Sequence, residues 1–195
     1  SETATVNPTL TLPPGWRTMS PIFPMDLPPG ESDILLVGFI VPGDARAGSY
    51  RISCTIGDAG AFISIIVPVE RALDLREVSV PQNVLSGDSY ESTFAVQNNG
   101  NVDETLSFSV ESRSEYTFTQ DATDFSLEPG SSRLITLVVT VPEDIGQSTR
   151  HSVHVTLQAA GSDDLKTEVR TSVNLIARTP PGNIWHRLPV SINGS

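Results

Sequence analysis

Apolar and polar positions alternate with a period of two through most of this chain, in short runs closed by Gly, Pro, Asn or Asp. Tyr50, Ile52, Cys54 and Ile56 point one way, and Arg51, Ser53 and Thr55 the other. That spacing predicts a strand. Gly57-Asp-Ala-Gly60 predicts a turn back into a second strand over Ala61–Val69. The same reading predicts strands over Leu75–Val80 with Val84, Tyr90–Gln97, Thr105–Val110, Leu134–Val141, His151–Gln158 and Lys166–Ala177, and a weaker extended pair over Tyr116–Phe125. The inward sets are Tyr90, Ser92, Phe94 and Val96, then Leu106, Phe108 and Val110, then Val153, Val155 and Leu157, then Val169, Thr171, Val173 and Leu175. Asn98-Asn-Gly-Asn101 is a turn signal, because Asn and Gly tolerate positive φ. Residues 1–26 predict extended structure interrupted by proline, and the unbroken apolar run Ile34–Val41 predicts one more strand. No stretch carries a helical period. The expected fold is all-β: short strands with a turn every ten or so residues suit immunoglobulin-like β-sandwiches.

One phrase occurs twice. Leu27, Pro29, Gly30, Ser32, Val41, Pro42 and Asp44 return 100 positions later as Leu127, Pro129, Gly130, Ser132, Val141, Pro142 and Asp144. About 100 residues is the size of one such sandwich, so the expectation is two in tandem: residues 1–70, residues 71–178, and a linker with the start of a further element over 179–195. Glu70-Arg-Ala-Leu73 joins the halves with no Gly/Ser spacer, which predicts restricted, rod-like stacking. The phrase also works as a ruler. Leu127 comes some 55 residues after Ala72, but Leu27 only 26 after Ser1. The first sandwich is therefore expected to lack its opening strands, the chain to be a piece of a longer one, and the open edge to be completed, if at all, by a strand from elsewhere.

These segments carry a family likeness. Leu12-Pro-Pro-Gly-Trp16, Leu27-Pro-Pro-Gly-Glu-Ser32, Val41-Pro-Gly-Asp-Ala45 and Ala47-Gly-Ser-Tyr50 resemble bacterial Ig-like modules of the NPCBM-associated (α-galactosidase-associated) type. Ala95-Val-Gln-Asn-Asn-Gly-Asn101, Leu127-Glu-Pro-Gly130 and Val141-Pro-Glu-Asp144 resemble that group and the related CARDB adhesion domains. The second half departs from the pattern at Ile145-Gly-Gln-Ser-Thr149. The resemblance implies a non-catalytic structural or spacer module of a bacterial envelope or secreted protein, extracytoplasmic and working beside neighbouring domains of a longer parent chain. The alternative it implies is an adhesion-type module that binds carbohydrate or a partner protein strand.

Charge narrows the partners. The net charge is −11, with 3 basic and 7 acidic side chains in residues 1–70 and 8 and 16 in residues 71–178. With one lysine and no basic stripe, nucleic acid and anionic membrane are poor partners. No apolar run approaches the length of a membrane span, so this stretch is not expected to insert in a bilayer. Cys54 is the sole cysteine, which excludes an intrachain disulfide. It falls on the inward face of its strand and is expected to be buried and inert.

Candidate chemistry is sparse. His151 and His154 form His-x-x-His, but on a strand positions i and i+3 face opposite sides, so no metal site is expected there. The acidic clusters lack EF-hand spacing, leaving at most an interdomain calcium between Glu70 and Asp74. No nucleophile elbow, Walker loop or Cys/His cluster occurs. No catalytic, cofactor-binding or metal residue is assigned, no cofactor is expected, and the ligand-binding residues are left unknown. Trp16, after a turn, is expected to plug the end of the first sandwich, with a sugar-stacking platform as the alternative. Trp185 and the sequon Asn193-Gly-Ser195 lie in the tail.

Overall fold

In the computed structural model, residues 2–112 and 116–178 are described; Trp185, the Asn193 sequon and the rest of the 179–195 tail lie outside them. The described residues are all-β, and no helix among them is long and apolar enough to cross a membrane. The strands are β1 (Ala4–Val6), β2 (Thr9–Thr11), β3 (Arg17–Thr18), β4 (Met25–Leu27), β5 (Phe39–Ile40), β6 (Gly48–Ile56) and β7 (Ala59–Val67) in the first half. The second half holds β8 (Leu73–Ser79), β9 (Asn83–Leu85), β10 (Ser89–Asn98), β11 (Glu104–Ser112), β12 (Thr117–Gln120), β13 (Asp124–Leu127), β14 (Ser132–Thr140), β15 (Thr149–Ala159) and β16 (Lys166–Ile176).

The second half is a two-sheet sandwich. One sheet runs β12-β14-β10-β8 and the other β13-β11-β15-β16-β9. Their alternating inner faces meet in one core: Tyr90, Phe94, Val96, Ile135, Leu137 and Val139 from the first sheet face Leu106, Phe108, Val155, Leu157, Val173 and Leu175 from the second. Nearly all pairings are antiparallel, but β9 lies parallel to β16, with Asn83 opposite Asn174 and Leu85 opposite Ile176. Chain topology explains this, since β9 is reached by a crossover from β8 in the opposite sheet rather than by a hairpin.

The first half repeats the second half's ladder registers. Ala4 pairs with Leu27 as Glu104 pairs with Leu127. Arg17 pairs with Ile40 as Thr117 pairs with Thr140. Thr9 pairs with Thr55 as Ser109 pairs with Thr156, a shift of one residue on the second strand. The strands β1 to β7 thus reproduce β11 to β16, with Pro8 splitting the counterpart of β11 in two. Nothing among the described residues of the first half occupies the places of β8, β9 and β10.

That gap accounts for two departures from the sequence reading. The strand expected over Ile34–Val41 forms only at Phe39–Ile40, where β3 supplies a partner, with one further bond from Met19 N–H to the Gly38 carbonyl at 2.9 Å. Residues 34–37 form no ladder, and the inward Leu35 stands 36% exposed and Val37 half-buried, whereas their counterparts Ile135 and Leu137 on the matching strand are fully buried. Cys54 does lie on the inner face, but it is only half-buried. With Leu10, Ile52, Ala61, Phe62 and Ile63 it lines an open apolar hollow of about 150 Å³. An apolar period reports which face a strand offers; burial needs a second layer to receive it. The turn between β6 and β7 is also shorter than expected: Ile56 pairs with Ala59, so Gly57 and Asp58 alone make it, and Gly57 takes the positive φ of 55°.

Candidate functional site

Polar side chains and backbone groups converge most densely at the joint between the halves. Pro68–Ala72 carries the chain from β7 into β8 with no regular partner of its own, and the Asn98–Asn101 turn, between β10 and β11, closes over it. Asn101 N–H donates to the Glu70 carbonyl at 2.8 Å, and Asn99 N–H to the Ala72 carbonyl at 2.8 Å. The Asn101 side chain donates to the Pro68 carbonyl at 2.9 Å and accepts from Glu70 N–H at 2.8 Å. The turn is itself fixed from within. Asn98, fully buried, donates from Nδ2 to the Val102 and Leu127 carbonyls and accepts Gly100 N–H at 2.9 Å. Gly100 is required by proximity and not by φ: a Cβ there would sit 2.5 Å from the Glu70 carbonyl oxygen and 3.0 Å from Arg71 Cα.

Two arginines flank this clamp with ion pairs. Arg71 grips Glu104 bidentately, Nε to Oε1 at 2.7 Å and Nη2 to Oε2 at 2.6 Å, over a carboxylate only 2% exposed. Those bonds raise the Arg71 guanidinium further above its already high value. Arg46, in the turn before β6, reaches Asp103 at 3.1 Å and Glu128 at 3.5 Å, while Ala47 N–H donates to the Asn101 carbonyl at 3.1 Å. Planar guanidinium forks suit this task, because each fixes orientation as well as distance. Glu70 acts here through its backbone. Among the described residues no group of three His, Cys, Asp or Glu side chains lies close enough to hold a metal ion.

The two histidines are separated as the strand period requires. His154 points outward and meets Glu168 at 3.0 Å. His151 is buried among Tyr90, whose Oη lies 2.9 Å from Nδ1, Ser112, whose Oγ lies 2.8 Å from Nε2, and Tyr116, set edge-on at 4.4 Å. A neutral imidazole bears one N–H, so one neighbour donates to the ring and the other accepts from it. Burial pushes the Tyr90 hydroxyl up to about 12 and the imidazole below its ordinary value, so both stay neutral near pH 7. With Tyr90 and His151 buried and Ser112 and Tyr116 half-buried, the cluster is a polar fastener at one end of the core. Trp16 holds the matching place in the first half, its ring 5.2 Å from Tyr50 and 5.7 Å from Phe39. It is buried, so its faces are occupied by protein and not open to a sugar. Neither the clamp nor the fastener was singled out from sequence. Backbone carbonyls have no residue signature, and only the Asn-Asn-Gly-Asn turn marked the spot.

The class these features define is an immunoglobulin-like β-sandwich of bacterial type. More specifically, residues 81–178 match the family model described as "IG-like fold at C-terminal of FixG, putative oxidoreductase", and the chain belongs to that family. The match is to the Ig-like domain alone. No curated protein matches the sequence. Among solved structures, similarity is found to a FixG-related protein from Vibrio parahaemolyticus, at 12% identity and a TM-score of 0.41, covering 56% of this chain and 97% of that one. The cupredoxin domain of amoB from Nitrosocaldus yellowstonii is similar at 11% identity and a TM-score of 0.42, covering 62% and 98%. A family 123 glycoside hydrolase from Clostridium perfringens is similar at 8% identity and a TM-score of 0.46; the match covers 56% of this chain but spans only 28% of that enzyme.

Proposed function

We propose that the chain is a non-catalytic spacer of a bacterial envelope or secreted protein, two Ig-like units of the tandem NPCBM-associated or CARDB kind meeting near residue 71 and holding neighbouring domains of a longer parent at a set distance and angle. The observation that carries this reading is the joint. Four hydrogen bonds between the Asn98–Asn101 turn and the Pro68–Ala72 linker, with Arg71 on Glu104 and Arg46 on Asp103, restrict the hinge that a free linker would leave open. A spacer needs that restriction; an independently tumbling binding module does not.

Small-angle X-ray scattering on the whole chain tests the proposal. The spacer reading expects one arrangement of the two halves to fit the curve, unchanged between low and high salt. A broad distribution of arrangements refutes it. Screening against glycans and cell-wall polymers addresses function directly: specific binding replaces the spacer with an adhesion module.

A further inference from the structure

Where asparagine precedes glycine, the next backbone nitrogen can attack the asparagine side chain with little hindrance, because glycine carries no side chain to block the approach. The dipeptide occurs twice, at Asn99-Gly100 and at Asn193-Gly194 in the tail. The first copy lies in the turn that clamps the linker, and the packing there admits no other residue at 100. A Cβ at that position would stand 2.5 Å from the Glu70 carbonyl oxygen. Close packing of turn on linker imposes the glycine, and the glycine imposes the reactivity.

The Asn99 side chain is free to react. It is exposed, and its amide has no hydrogen-bond partner among the described residues. It lines an open hollow of about 400 Å³ with Asp44 and Glu70, so water reaches it. The backbone around it is held fast. Asn99 N–H donates to the Ala72 carbonyl and Asn101 N–H to the Glu70 carbonyl, each at 2.8 Å, and Gly100 N–H donates to Asn98 Oδ1 at 2.9 Å. Ring closure requires the Gly100 nitrogen to release its proton and turn toward Asn99 Cγ. With the clamp shut, that rotation breaks the bond to Asn98 and has no room beside Glu70.

We propose that Asn99 is a site of spontaneous modification whose rate is set by opening of the joint, and whose iso-aspartate product leaves the joint loosened. The Gly100 nitrogen bonds to Asn99 Cγ and gives up its proton, and the side-chain nitrogen leaves as ammonia, forming a succinimide. Water then adds at one of the two ring carbonyls. Opening one way yields aspartate; opening the other yields iso-aspartate, in which the main chain runs through the former side chain. That linkage adds one methylene, about 1.5 Å of chain, between the two turn residues that bond the linker. Either product also places a negative charge beside Asp44 and Glu70. The proposal goes beyond the spacer reading and stands apart from it, since it concerns how the joint ages and not what the joint serves.

The whole chain is incubated at mildly alkaline pH, and product at Asn99 is followed by mass spectrometry with fragmentation that separates iso-aspartate from aspartate. The peptide of residues 95–104 supplies the rate without a joint, and Asn193-Gly194 serves as a clock for conditions within each sample. Asn99 reacts about thirtyfold more slowly in the chain than in the peptide, as four weak linker bonds imply. Asn101→Ala, which loses two of those bonds, reacts about fivefold faster than the parent, each rate being taken against the peptide of the same sequence. Circular dichroism of Asn101→Ala matching the parent separates an open joint from an unfolded chain. In the iso-aspartate product, amide exchange at Glu70 and Asn101 quickens at least about tenfold. Asn99→Gln, too long to close the five-membered ring, keeps its protection through the same incubation. Four results overturn the proposal: equal rates in chain and peptide, equal rates in parent and Asn101→Ala, an iso-aspartate product with unchanged exchange, or loss of protection in Asn99→Gln.

Discussion

Gly100→Ala adds one methyl group where the Asn98–Asn101 turn lies against the linker. The new Cβ lands 2.5 Å from the Glu70 carbonyl oxygen, 3.0 Å from Arg71 Cα and 3.1 Å from Ala72 N, all backbone atoms that cannot rotate away. Restoring an ordinary contact of 3.4 Å moves turn and linker apart by about 0.9 Å. The bonds from Asn99 and Asn101 to the linker start at 2.8–2.9 Å, and that retreat takes them past hydrogen-bonding range. Water takes their place, so each is worth only the low end of the usual range, about 0.5 kcal/mol, and the joint loses about 2 kcal/mol. The population with the halves locked together then falls roughly thirtyfold against open arrangements. Spin labels at Ser64→Cys and Ser107→Cys, in a Cys54→Ser background, read this as a distance distribution by pulsed electron resonance: narrow in the parent, broad in Gly100→Ala. Gly43→Ala, whose added Cβ meets nothing within 4 Å, serves as control and stays narrow. The melting of the second sandwich shifts little, because its core is untouched. Equal widths for parent and Gly100→Ala refute the reasoning that this turn is what holds the joint.

Phe94→Ala removes a fully buried ring that lies 6.0 Å from Phe108, and urea unfolding is expected to show a loss of about 3–5 kcal/mol. Ser92→Ala works in the opposite direction: the Ser92 hydroxyl is buried with no hydrogen-bond partner, so its removal raises stability by about 1 kcal/mol on the same assay. His151, held neutral by burial, has a folded pKa below the ordinary 6.5. The unfolded chain therefore takes up a proton first, and thermal stability falls as pH drops from about 6.5 toward the folded value; His151→Gln flattens that part of the profile, and an unchanged slope counts against the assignment. Arg71→Met leaves the Glu104 carboxylate buried without its partner, and the second sandwich melts lower than with Arg71→Lys, which keeps the charge.

The second sandwich was legible in the sequence nearly strand by strand because its long strands each have one face in a core: Phe94, Leu106, Val155 and Leu175 all fall where the two-residue period puts them. The first half was less so, and for a definite reason. Ile34–Val41 has the composition of a central strand, but a strand is a property of two neighbours, and the segment has β3 at one end only. Cys54 follows the same logic one layer deeper. The joint was hidden differently, since three of the linker's four bonds to the turn are accepted by carbonyls of Pro68, Glu70 and Ala72, groups every residue possesses. His151 lies on the face opposite His154, as the strand period implies, but its partners Tyr90 and Ser112 lie 61 and 39 residues away, beyond any local pattern.

The parallel pairing of β9 with β16 bears on how the second sandwich carries a load. Pull the chain at Leu73 and at Arg178, and tension enters through the strands nearest those points. Antiparallel strands loaded from a shared end peel apart one bond at a time. In β9 and β16 the three paired residues, Asn83–Leu85 on Asn174–Ile176, lie beside each other in the same direction, so opposed pulls slide one along the other and their bonds strain together. Ser86 N–H on the Ile176 carbonyl and Arg178 on Asp88 lie in the same shear zone. A short parallel strand, with Val84 as its one core residue, thus sits where it would set the force at which the module yields.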